Sequence, residues 1–160
     1  MSPDSNAGIS AALGRIPSGV FVVTYRRGDS DAAFLGSWIQ QCAFDPPMLS
    51  MAVGGGRDAA DWLIDGAPFA VNILAEDQKE ILSHFGRGLP LSQLPNAGKR
   101  IRCVDGSAAA LTDAHAVLHC HVAGRIATGD HHLIIGRIII GSLQTEERPY
   151  VHIRKSGMNY

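Results

Sequence analysis

A mainly β fold with a few short helices is what this sequence predicts, on three observations. Eighteen glycines and eight prolines stand among 160 residues, many for a helix bundle. They fall between short runs of Val, Ile, Leu and Phe, which is how a turn-rich β protein reads. Apolar residues make up 46% of the chain and charged residues 18%, too much core-forming material for a disordered chain. No uncharged apolar run is long enough to span a membrane. A chain of this length fits one domain over residues 1–160, because it buries a sizeable core without forcing that core to split.

The elements follow in order. Asn6 is placed to cap a short amphipathic helix over 7–14, with Ile9, Ala12 and Leu13 on one side and Gly14 and Pro17 bracketing its end. A β-branched and aromatic run over 20–25 and a strand over 33–43 flank a polar stretch, 26–31, that reads as a hairpin loop. Asp45-Pro46-Pro47 breaks the ladder, since neither proline donates an N–H, and 48–53 resumes as a strand. Gly54-Gly55-Gly56 makes a turn into a helix near 58–65. A strand over 69–74 is followed by a helix from Asp77, whose Ile81, Leu82 and Phe85 give one apolar face. The stretch 86–99 carries Gly88, Pro90, Pro95 and Gly98 without periodicity and reads as a long loop, a lid or dimer arm. Strands are expected over 101–104, 116–127, 131–143 and 151–154, with Gly129-Asp130 a type I′ hairpin between the two longest.

Charge and cysteine content narrow the function classes. Fourteen basic against fifteen acidic side chains leave a net charge of −1, so no long-range field gathers nucleic acid or anionic lipid. Cys42, Cys103 and Cys120 form no CxxC pair and suggest neither a disulfide framework nor a zinc knuckle. The N-terminus has no basic stretch followed by an apolar segment, so the cytoplasm is the expected compartment. Seven histidines raise the question of a metal. His119 and His121 share a strand face, but neighbours His131 and His132 point to opposite faces and no carboxylate is placed as a third ligand, so no metal site is expected.

The run from Ile16 to Thr24, then Gly36-Ser37-Trp38-Ile39-Gln40-Gln41-Cys42-Ala43-Phe44-Asp45-Pro46-Pro47-Met48, resembles the opening of flavin reductase-like domains. The likeness continues through 69–74, the helix reaching Phe85, the Gly129-Asp130-His131 signature and the closing stretch from Val151 to Lys155. It covers nearly the whole chain and looks closest to the flavin reductase module appended to diflavin flavoproteins. The resemblance implies a Greek-key split β-barrel, a homodimer, and FMN, or alternatively FAD, in a groove between subunits with its ring open to NADH or NADPH. It also implies roles for residues. Ser37, Trp38, Gln40 and Gln41 would line the ring and ribityl chain, Arg57 would meet the phosphate, Phe85 would close the pocket, and His131 would stand near flavin and nicotinamide. Trp38 and Gln41 stand where many free-standing reductases of this resemblance have small hydroxyl residues, which would narrow the groove and leaves a tightly held flavin open beside a freely exchanged one.

The same residues carry a reading of their own. A flavin site needs hydrogen-bond donors at the ring edge, an apolar wall, and a cation or free amides for phosphate. Strand alternation sets Ser37, Ile39 and Gln41 on one face and Trp38, Gln40 and Cys42 on the other, so all of the polar or aromatic groups reach one ligand only where a bulge intervenes. The glycine run before Arg57 suggests an anion nest assisted by a helix start. The expected activity is hydride transfer from NADH or NADPH to bound FMN. The competing expectations are a non-catalytic flavin carrier docking on a larger redox partner, and a barrel that has exchanged flavin for haem.

Overall fold

The computed structural model describes residues 3–158; Met1, Ser2, Asn159 and Tyr160, which the expected 1–160 domain takes in, lie outside the described residues. The chain runs α1 (Pro3–Leu13), β1 (Ser18–Gly19), β2 (Phe21–Arg27), β3 (Ser30–Gly36), β4 (Ile39–Ala43), β5 (Met48–Gly54), α2 (Ala59–Trp62) and β6 (Pro68–Ile73). It continues through α3 (Lys79–Gly86), a 3-10 turn (Leu91–Gln93), α4 (Ala97–Arg100), β7 (Ile101–Arg102), β8 (Ala110–Leu111), β9 (Ala116–Thr128), β10 (His131–Leu143) and β11 (Val151–His152).

Seven strands form one antiparallel sheet in the order β3-β2-β6-β9-β10-β5-β4. Its two edge strands, β3 and β4, are neighbours in sequence, joined only by Ser37 and Trp38. Successive Cα atoms are 3.8 Å apart, so that connection holds the two edges within roughly 11 Å of each other. The sheet is therefore rolled into a barrel whose seam lies at Ser37-Trp38, the split barrel that the sequence led us to expect. Register shifts in the β9/β10 ladder, between Ile135 and Gly136 and between Ile138 and Ile140, give the two longest strands the bend that rolling requires.

Strand β2 shows how the core is divided. Phe21, Val23 and Tyr25 point into the barrel with Met51, Phe69 and Ile134. Val22, between them, packs outward with Ile81, Phe85, Leu91 and Leu94. A strand covered on both sides loses the in-out polarity alternation, which is why Phe21, Val22 and Val23 follow one another as apolar residues.

Several expectations are corrected. The helix at the N-terminus begins at Pro3, so Asn6 lies inside it and is not its cap. The expected strand over 33–43 is two strands on opposite sheet edges, since no single extended strand can serve both. The helix after the glycine turn is one turn long, Ala59–Trp62. The stretch 86–99 is no free lid, because Leu91 and Leu94 bury 95% or more of their surface in the outer core and fix it to the barrel. At the β9/β10 turn only Gly129 has a positive φ (+70°). A type I′ turn needs two such residues, and one at the first central position is the type II′ pattern.

Candidate functional site

A cleft of about 650 Å³ opens beside the barrel seam, within the size range of small-molecule sites. Its position follows from the seam: β3 must end at Gly36 for the chain to cross to the other edge, and the crossing residues Ser37 and Trp38 form one wall. Phe34 and Leu35 of β3, Val53 of β5, and Leu82 and Phe85 of α3 make it apolar. Against them stand three cations, Arg57, Arg154 and Lys155, and no Asp or Glu among the described residues lines the cleft. The two sides together suit a ligand with a flat apolar body and a phosphate.

The break at Ser37-Trp38 removes the constraint of strand alternation, since neither residue belongs to a strand and both reach the cleft. The Ala52 N–H donates to the Trp38 carbonyl at 3.0 Å, tying the crossing to β5. Arg154 lies over the Trp38 ring at 4.8 Å from its centroid, a cation on an aromatic face. Arg57 stands 5.5 Å from the centroid of Phe34. The turn that carries Arg57 is pinned by its neighbour Asp58, which accepts from the Tyr25 hydroxyl at 2.8 Å and meets Arg27 at 3.3 Å. Burial, and then the Asp58 carboxylate, push the Tyr25 phenol well above its ordinary range, so it stays a donor.

Ser37, Trp38, Arg57 and Phe85 thus line one cavity. Gln40 and Gln41 are not brought into it: both are exposed on β4, and Gln41 Nε2 donates to its neighbour Ala43's carbonyl at 3.2 Å. His131 does not line the cavity either but stands behind its wall, with its ring 5.1 Å from that of Trp38 and its Nδ1 2.8 Å from Asp130 Oδ1. That hydrogen bond holds the exposed Asp130 carboxyl below its usual value. Two amides of the glycine turn are not open to the expected anion nest. The Gly55 N–H donates to the Asp130 carbonyl at 2.9 Å and the Arg57 N–H to that of Gly54 at 3.0 Å, so both amides are engaged. A one-turn helix adds little dipole.

Sequence reasoning missed Arg154 and Lys155 as site residues. The signal was two adjacent cations directly after a short strand, in a stretch the family resemblance already covered. Three further histidines serve structural bonds, His84 with the Pro90 carbonyl at 3.0 Å, His115 with Thr145 at 3.1 Å and His119 with Ser107 at 2.8 Å, while His152 lines the cleft.

Comparison with known proteins points the same way. A family model described as flavin reductase like domain matches residues 13–159. Diflavin flavoprotein A 1 of Synechocystis sp. is 33% identical over 154 residues, covering 95% of this chain but 27% of that protein. The chain thus spans about a quarter of the length of the curated relatives it matches. Among solved structures, flavin reductase PheA2 in its native state superposes with a TM-score of 0.78 at 22% identity, over 94% of this chain and 93% of that one. The Streptomyces globisporus C-1027 NADH:FAD oxidoreductase SgcE6, in complex with NAD and FAD fragments, gives 0.80 at 22% identity over 98% and 92%. At such identities the structural likeness speaks for the fold.

Proposed function

This chain belongs to the flavin reductase-like domain family, and from that premise we propose that it holds FMN in the seam cleft and works as an NAD(P)H:flavin oxidoreductase. The observation that carries the reading is the pairing, in one cavity, of an apolar wall with three cations and no carboxylate. Bound there, the flavin would supply hydride acceptance from NADH or NADPH and onward transfer of electrons. The chain's own residues do the rest. Phe34, Leu35, Val53 and Phe85 offer the ring an apolar surface and keep bulk water from one face. Arg57, held by the Asp58 turn, meets the phosphate. Trp38, with the Arg154 guanidinium over its ring and His131 beside it, narrows the mouth and retains the ring. His131 positions Trp38 and needs no proton role, because hydride transfer requires no protein acid or base in its central step.

The same reading places one flavin-binding domain over the chain and a homodimer with the cleft near its interface. Exposed Ile139, Ile140 and Leu143 on β10 are surfaces such a partner would cover. A second reading, a flavin carrier that docks on a larger redox protein, is favoured by one observation: the matched stretch is only 27% of the matched relative.

The test is the spectrum of the purified protein, followed by anaerobic addition of NADH and NADPH. Flavin absorbance that bleaches on addition supports the oxidoreductase. Retained but unbleached flavin supports the carrier. Protein that is colourless and takes up no FMN overturns both, and a Soret band points to haem.

A further inference from the structure

Beyond the cleft lies a second chamber of about 280 Å³, lined by Leu13, Ile16, Ser18, Trp38, Arg154 and Gly157. Trp38 and Arg154 line both spaces, so their stacked pair is the shared wall. The chamber is small and apolar, and an indole and a guanidinium form one side of it. That is a surface on which a purine stacks.

The segment that brings Arg154 here is fixed by close packing. The Gly157 N–H donates to the Ser10 carbonyl at 2.8 Å, and the Ser10 and Ser156 hydroxyls are 2.7 Å apart. A Cβ on Gly157 would stand 2.1 Å from Leu13 Cβ, and one on Gly14 would stand 2.8 Å from the Arg154 carbonyl oxygen. Only glycine at both places lets the segment lie this tightly on the end of α1.

The charges on that segment stand at the cleft, whereas three arginines elsewhere pair within the fold. Arg26, Arg27 and Arg100 each meet a carboxylate within 3.3 Å. Arg154 and Lys155 form no hydrogen bond or ion pair among the described residues, and no carboxylate lines either cavity. Sites that take an unphosphorylated adenosine ribose commonly place a carboxylate on its 2′-hydroxyl, whereas a 2′-phosphate calls for a cation. One flavin phosphate accounts for Arg57 and leaves this adjacent pair of cations without a counterpart.

We propose that the chamber and the Arg154-Lys155 pair form an adenosine 2′-phosphate subsite: the adenine stacks on the Trp38-Arg154 wall, the 2′-phosphate meets Arg154 and Lys155, and the preferred electron donor is NADPH. This deepens the reductase reading and rests on it for the donor's role, though the binding itself is testable apart from turnover. Calorimetric titration of the flavin-loaded protein with 2′,5′-ADP and with 5′-AMP is the first measurement. The 2′-phosphate should tighten binding about tenfold or more, the scale of a charge-assisted contact. Lys155→Ala should bring the two affinities close together, and Ile16→Trp, which fills the chamber, should weaken both. The kcat/KM for NADPH should exceed that for NADH by a similar factor.

Equal affinities, or a preference for NADH, would overturn the subsite while leaving the reductase reading in place. Discrimination between the two nucleotides with oxidation of neither would keep the subsite and remove the reductase. Because Lys155 is exposed, its variant is expected to fold, and the comparison on the unmodified protein stands without it.

Discussion

Two polar regions of this molecule follow opposite rules. In the barrel wall, Asn72 and Thr24 are fully buried. Asn72 Nδ2 donates to the Val22 carbonyl at 2.8 Å, its Oδ1 accepts from the Leu111 N–H at 2.7 Å, and the Thr24 hydroxyl donates to the Ala109 carbonyl. Every bond stays within the chain, so the network joins β2, β6 and the short β8 and asks for nothing from outside. At the seam, Arg154 and Lys155 face a cavity without a carboxylate in its lining. Polar groups satisfied internally specify a fold, while charges that line a cavity without a carboxylate are open to a ligand.

The largest effect should come from breaking the satisfied side. Asn72→Ala leaves the Leu111 N–H unpaired in the interior, and should cost roughly 1–3 kcal/mol of unfolding free energy, read as a lowered denaturant midpoint. If the midpoint hardly moves, the network is not what ties β8 to the barrel. On the ligand side, Arg57→Ala should weaken flavin affinity by about 1.5–3 kcal/mol while thermal stability stays near the parent's. A flavin dissociation constant that does not change removes Arg57 from the site and blurs the contrast.

Gly157→Ala sits between the two regions. Its new methyl meets Leu13, and overpacking of that kind costs about 1–3 kcal/mol. Here the loss should appear as weaker nucleotide binding and earlier loosening of the C-terminal segment in hydrogen exchange, more than as a global change. The smallest effect concerns pH. Burial, with Arg102 nearby, holds His119 below its usual value. Its neutral form is therefore favoured by folding, and that contribution is complete above about pH 6.5. It is lost as pH falls from there, because the unfolded chain takes up the proton first. His119→Gln should flatten this acid-side slope in a series of unfolding midpoints, and an unchanged slope would assign it elsewhere.

How much of this could be read beforehand differs by element. The strand runs, the break at Asp45-Pro46-Pro47 and the amphipathic α3 were legible, because proline geometry and the period of apolar residues are local properties. The break of the expected 33–43 strand was not. Nothing local in Gly36-Ser37-Trp38-Ile39 marks a change of sheet edge; that is settled by where β2 and β5 lie in the closed sheet. Arg57 and Phe85 reached the cleft from the family likeness, while Arg154 and Lys155 escaped notice because cations next to each other usually read as solvated surface.

By itself, then, the sequence determined the fold class, most of the ladder segments and the family, since these rest on composition, spacing and ordered motifs. Only the tertiary structure decided which polar side chains meet in one cavity, which amides are already engaged, and that the C-terminal segment closes against α1. The last of these joins residues 146 positions apart, and pairings at that range are set by the closure of the barrel and not by any local preference of the chain.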